Sequence, residues 1–242
     1  MQVFILENEG AIGRAVGDIF CETVRQKPDA VLGLATGSSP VPSYRRMIER
    51  CAAGEVSFRE VVTFNLDEYC DLPPEHKNSY ASFMAQELFS QIDILPGNCH
   101  FLDGNAGDEA AESERYRLAI EAAGGIDLQM LGIGRNGHIG FNEPAGAFTD
   151  EAYRVALTPS TIEANSPYFD DISMPRTAMT MGVGSILRAR RIVLVATGGA
   201  KAEAVWAMLE GEIGPHCPAT ALRGHADTAV YLDPAAAALL KK

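Results

Sequence analysis

Leu131-Gly-Ile-Gly-Arg-Asn-Gly-His-Ile-Gly-Phe-Asn-Glu-Pro144 decides how this chain is read. The stretch before it, Asp127 to Met130, reads as the end of a buried strand. Gly132, Gly134, Gly137 and Gly140 then follow in close succession. Glycines this dense let a backbone turn sharply and approach a ligand. In open α/β sheets, ligands bind beyond the carboxyl ends of the strands. An imidazole ordinarily titrates near ~6.5, so His138 can move a proton at neutral pH. Glu143, a little further on, can orient it or stabilise its charge. The Gly-x-Gly-x-x-Gly spacing of Gly132, Gly134 and Gly137 also evokes a dinucleotide fingerprint, but that motif needs a following helix. Pro144 stops any helix early, which sets a nicotinamide cofactor aside.

Working outward, the chain has 242 residues, 47% of them apolar, enough for one full core. The net charge of −12 opposes nucleic-acid binding, whose affinity comes from Lys and Arg on phosphates. It leaves room for a small anionic ligand held by backbone N–H groups and one or two cations. No apolar run reaches the ~18 residues of a membrane span, and the opening Met-Gln-Val-Phe-Ile-Leu-Glu lacks the basic start of a signal peptide. Five scattered cysteines without C-x-x-C spacing fit cytoplasmic usage, with neither a disulfide framework nor a zinc site.

Upstream, Ala30 to Ala35 reads as a buried strand running into Thr36-Gly-Ser-Ser-Pro40, with a helix from about Val41. Gly37 permits a tight turn. Thr36, Ser38 and Ser39 can cap the helix or donate to an anion, so the junction is either an ordinary cap or a phosphate cradle. Val61 to Leu66 is a third strand, and it ends at Asp67-Glu68. Adjacent carboxylates there are either solvated loop charges or a functional pair with a raised pKa. Asn78 to Ile92 and Asp108 to Ala123 read as helices, and Tyr153 to Leu157 as a strand. The proline-interrupted segment 158–176 is the least regular part and is read as a lid. Arg191 to Ala196 is a strand followed by Thr197-Gly-Gly-Ala-Lys201 and a helix. Thr228 to Leu232 is the last strand, and Ala235 to Leu240 reads as a closing helix. The sum is α/β: a doubly wound, mostly parallel Rossmann-like sheet of about seven strands in a single domain, 1–242. Its loops at Thr36–Ser39, Asp67–Glu68 and Gly134–Glu143 are expected to converge.

Nearly the whole chain resembles the glucosamine-6-phosphate deaminase family. The resemblance is carried by Leu32-Gly-Leu-Ala-Thr-Gly-Ser-Ser-Pro40, by Thr63-Phe-Asn-Leu-Asp-Glu-Tyr69 with Glu75-His-Lys-Asn-Ser-Tyr80, and by Gly132 to Pro144. Met181-Gly-Val-Gly184 and Ala200-Lys201 also have counterparts. It implies ring opening by His138 with Glu143, then proton transfer from C2 to C1 by Asp67. Loss of ammonia yields fructose 6-phosphate, with no metal or organic cofactor. It also implies sugar and phosphate contacts from Thr36, Gly37, Ser38, Ser39, Gly137 and Lys201, with Glu68 in a supporting place. The resemblance implies the short, non-allosteric form, since the effector positions of longer members fall on Gly146, Ala147, Tyr153 and Val155.

Two departures stand out. Asn136 replaces an aspartate; it can orient His138 but supplies no charge. Pro167 replaces an arginine that reaches the phosphate, a contact worth roughly 1.5–3 kcal/mol, unless Arg176 or another cation substitutes. Galactosamine 6-phosphate is therefore a second candidate substrate. A lactonase acting on phosphorylated sugar acids is disfavoured by Phe141-Asn-Glu-Pro144. A sugar-phosphate-sensing module without catalysis would need a DNA-binding segment ahead of Val3. The residues leave the oligomeric state open.

Overall fold

The computed structural model describes residues 1–170 and 172–241, and only the backbone at Ser160, Ala164 and Tyr168. Seven parallel strands form the main sheet: β1 (Gln2–Ile5), β2 (Val31–Leu34), β3 (Val62–Asn65), β5 (Cys99–His100), β6 (Leu128–Leu131), β9 (Arg191–Ala196) and β10 (Thr228–Leu232). Between them in the chain lie β4 (Asp67–Tyr69), β7 (Tyr153–Ala156) and β8 (Thr177–Thr180), which make a second, antiparallel sheet. The helices are α1 (Glu9–Gln26), α2 (Val41–Ala52), α3 (Tyr80–Glu87), α4 (Glu109–Ala122), α5 (Pro159–Asn165), α6 (Val183–Leu187) and α7 (Ala202–Glu210).

The spatial order of the main sheet is β1-β10-β9-β6-β2-β3-β5. The chain steps outward from β2 to β3 and β5, then returns to the other side of β2 as β6. The order therefore reverses between β2 and β6, and a crevice opens there at the carboxyl edge. Right-handed crossovers put α1 and α2 on one face and α4 and α7 on the other. Such double cover explains why β2, β6 and β10 are buried along their whole length.

Local sequence sets the helices. In α1 the Asn8 side chain accepts the Ala11 N–H at 2.9 Å, and Ile12, Val16, Phe20 and Val24 recur on the buried face. In α5, Thr158 is the cap and Pro159 fills the first helical position, where its missing N–H costs nothing. That pattern makes part of 158–176 regular, contrary to the expectation for the segment. Asp171, which also falls in it, lies outside the described residues.

Three other expectations are corrected. Tyr153 to Leu157 does not join the main sheet; its strand pairs with β8, and the two-residue β5 takes the outer edge beside β3. Asn78 to Ile92 is not one helix, because α3 ends at Glu87 and a 3-10 turn, Phe89–Gln91, follows. Ala235 to Leu240 forms turns rather than a helix, with Ala237 N–H bonded to Asp233 and Leu240 N–H to Ala237. Its alanines favour helix, but so short a segment cannot recover the cost of nucleation. Among the described residues no helix is long and apolar enough to cross a membrane.

Candidate active site

Four neighbouring strands, β9, β6, β2 and β3, deliver their carboxyl-end loops to the crevice. At the end of β3 the chain leaves the main sheet through a single residue, Leu66, and re-enters pairing as β4. Its carbonyl accepts the Met181 N–H at 2.8 Å, which clamps the two sheets together. Asp67 therefore starts a strand instead of a loop. It pairs with Thr180 of β8 and is only 6% exposed. Burial, with the charge of Glu68 added, pushes its pKa up to about 8. An ionised Asp67 is thus a far stronger base than an ordinary aspartate.

Glu68 points elsewhere. Its carboxylate accepts the N–H of Tyr69, Tyr80 and Ala81, each at 2.9 Å. Burial raises its pKa, opposed by those bonds. It anchors the first turn of α3 to β4 and brings Tyr80 against Tyr69, with ring centroids 4.7 Å apart. The Tyr80 hydroxyl also meets the side chain of Thr36, joining α3 to the loop after β2.

In that loop Gly37 has φ 91°, the left-handed turn its sequence anticipates. No side chain caps α2, so Ser38 and Ser39 are not spent on its first turn.

The loop after β6 folds back on itself, with the Gly134 N–H donating to His138 O at 2.8 Å and Gly137 N–H to Gly134 O at 3.1 Å. Gly134 lies beneath the imidazole: a Cβ there would stand 2.4 Å from the His138 ring. His138 Nδ1 is 3.2 Å from Glu143 Oε1, an ion-pair distance outside hydrogen-bond alignment. Asn136 Nδ2 donates to the other oxygen, Oε2, at 2.6 Å, and Asn136 Oδ1 accepts the His138 N–H at 3.3 Å. Thr158 and Thr161 donate their hydroxyls to Oε1 at 3.2 and 2.8 Å. Burial opposes the charge of Glu143, but His138, Asn136 and Thr161 outweigh it and hold the pKa at about 2. Glu143 is therefore a fixed negative charge beside the imidazole.

The loop's far end is tied to the small sheet. Phe141 N–H donates to Thr180 Oγ1 at 3.1 Å, and Asn142 Nδ2 donates to Ile139 O and Met181 O, both at 2.8 Å. Lys201, entering from the loop after β9, donates to Ile133 O at 2.7 Å, and burial lowers its pKa.

The structure thus gathers Asp67, Asn136, Gly137, His138, Glu143, Thr36–Ser39 and Lys201 on adjacent strand ends, and turns Glu68 toward α3. Sequence reading passed over Thr158 and Thr161, the hydroxyl partners of Glu143, and Thr180, which faces Asp67. The Thr-Pro start of α5 was a readable signal for the first two; cross-strand pairing, which only the fold defines, supplies the third. Among the described residues no group of three or more His, Cys, Asp or Glu is placed to hold a metal ion.

The chain is similar in sequence and fold to known proteins. A family described as glucosamine-6-phosphate isomerases/6-phosphogluconolactonase matches residues 10–231. A protein of Hahella chejuensis named glucosamine-6-phosphate deaminase is 49% identical over 242 residues, covering 100% of this chain and 92% of its own length. A solved monomeric glucosamine-6-phosphate deaminase superposes with a TM-score of 0.95 at 42% identity, covering 99% of this chain and 100% of that one. A 6-phosphogluconolactonase from Leishmania guyanensis shares the fold, with a TM-score of 0.77 at 20% identity over 100% of this chain and 99% of its own.

Proposed function

The chain belongs to the glucosamine-6-phosphate isomerase/6-phosphogluconolactonase family, and from that premise we propose that it deaminates glucosamine 6-phosphate to fructose 6-phosphate and ammonia. The observation that carries the reading is Asp67, a buried carboxylate with its pKa raised to about 8, set beside a loop that presents an imidazole backed by a fixed negative charge. A carbon acid such as C2 of an aldose needs a strong, positioned base. An exchange between ring and open chain needs a second group that moves protons between oxygens.

Glu143 near Nδ1 favours the imidazole tautomer with its proton there, leaving Nε2 free to work. His138 takes the proton of the O1 hydroxyl and returns one to the ring oxygen, which opens the sugar. Asp67 removes the C2 proton to give an enolamine and delivers a proton to C1, leaving an imine at C2. Water adds to that carbon and ammonia departs, so each turnover consumes one water. Asn136 positions the pair through its two bonds. Thr36, Gly37, Ser38, Ser39, Gly137 and Lys201 hold the sugar and its phosphate. Glu68 acts through Asp67 and α3, as a positioning residue. The segment 158–176 is a lid, since ordering Thr158 and Thr161 completes the shell around Glu143.

A coupled assay tests the reading: ammonia and fructose 6-phosphate should appear in equal amounts from glucosamine 6-phosphate. Galactosamine 6-phosphate, run in parallel, would move the specificity to the other epimer if it alone reacted. No ammonia from either would sink the proposal.

A further inference from the structure

Arg135 stands in the loop after β6, exposed, two residues beyond the Ile133 carbonyl that holds Lys201 Nζ at 2.7 Å. Neither cation has a carboxylate partner among the described residues, although acidic residues outnumber basic ones 32 to 20. Many cations of the structure meet carboxylates, as Arg154 does Glu109 and Arg190 does Asp127, and Arg135 and Lys201 differ from the other unpaired ones in lying on one loop cluster at the strand ends. Two like charges carried close together on one loop cluster repel unless an anion joins them. Burial and the charge of Arg135 both lower the Lys201 pKa, so Lys201 registers its neighbour.

We propose that Arg135 is the second phosphate-binding cation of this enzyme, closing with Lys201 on the phosphate of the substrate. The inference rests on the proposed amino-sugar-phosphate reading and deepens it. Across the crevice stand Ser38 and Ser39, which are not engaged in capping α2, so a phosphate between the loops after β2 and β9 meets hydroxyls on one side and both cations on the other. The guanidinium fork suits two phosphate oxygens at once, and the Lys201 ammonium a third.

This placement also answers the proline at position 167. Arg176, the other candidate substitute, lies at the opposite end of β8 from Thr180, which pairs with Asp67. Four residue steps of strand separate the two, about 13 Å at ~3.3 Å per residue. Arg135 needs no such reach, because its own loop carries His138.

The test compares Arg135→Ala, Arg135→Lys and Arg176→Ala with the wild type. Arg135→Ala should raise the KM for glucosamine 6-phosphate about 10- to 100-fold, the range of a lost charge-assisted contact, with kcat much less affected. Arg135→Lys should recover part of the loss and Arg176→Ala should cause none. Inorganic phosphate provides a readout independent of turnover: it should raise the thermal midpoint of the wild type and much less that of Arg135→Ala. An unchanged KM and an unchanged phosphate shift in Arg135→Ala would overturn the inference, as would a KM loss confined to Arg176→Ala. Should the wild type release no ammonia, the deaminase reading fails, and the phosphate shift still decides the role of Arg135.

Discussion

Asp67 pairs with Thr180 across the antiparallel β4–β8 ladder. The Thr180 hydroxyl also accepts the N–H of Phe141, three residues past His138. Asp67 and the loop that carries His138 are therefore positioned from one residue of a small sheet that lies outside the main one. Thr180→Val should keep the fold, because valine matches the shape, but it strands a buried Phe141 N–H at a cost of roughly 1–3 kcal/mol. Thermal unfolding should report that loss, and kcat should fall together with it.

The raised pKa of Asp67 sets a pH dependence. In the proposed mechanism its base form is the active one, so kcat/KM should climb with pH and level off above about 8. A profile already flat between pH 6 and 8 would contradict the assignment.

The same shift makes Asp67 a liability for stability. Between about pH 4 and 8 the folded chain keeps a proton that the unfolded chain has lost, so this residue lowers stability as pH rises through that window. Asp67→Asn should abolish turnover and yet raise the unfolding free energy above pH 8, by an amount on the order of a few kcal/mol, with a higher thermal midpoint. At pH 4 the gain should vanish.

Glu143 has the opposite sign. Its folded pKa of about 2 lies below the ordinary 4.5, so its contribution is present above pH 4.5 and lost as pH falls toward 2. Glu143→Gln should reduce kcat by about 10²-fold or more, since the imidazole loses its oriented charge. The variant should also show a weaker dependence of stability on acid, measured by denaturant unfolding from pH 6 to pH 2.

Two glycines separate a site effect from a fold effect. At Gly134 the atoms nearest an added methyl are those of the His138 ring, which can swing aside, so Gly134→Ala should cut kcat with little change in thermal midpoint. At Gly137 the backbone has φ 84° and an added Cβ would stand 2.3 Å from buried Cys217 Sγ. Gly137→Ala should destabilise the protein by about 2–4 kcal/mol, from left-handed strain and overpacking together.

The main sheet and its crevice were legible because β2, β6 and β9 are mostly apolar and end in loops that contain glycine. The second sheet was not. β4 is three residues long and begins just past Leu66, so the sequence reads Val61 to Leu66 as a strand and leaves Asp67–Glu68 to a loop. The chain changes sheets at Leu66 because long-range pairing with β8 captures Asp67 to Tyr69, and no local pattern encodes that partner. The glycine loop showed where His138 and Glu143 would meet. It did not show that the hydroxyls completing the Glu143 shell would come from α5, fifteen and more residues on.

The most direct measurement follows hydrogen at C2. Glucosamine 6-phosphate carrying deuterium at C2 should react with the wild type with a primary isotope effect, and part of the deuterium should appear at C1 of the fructose 6-phosphate. Asp67→Asn should leave the C2 deuterium in place over the same period. Loss of that deuterium from Asp67→Asn at the wild-type rate would contradict the account, because the proton would then be leaving to some other base.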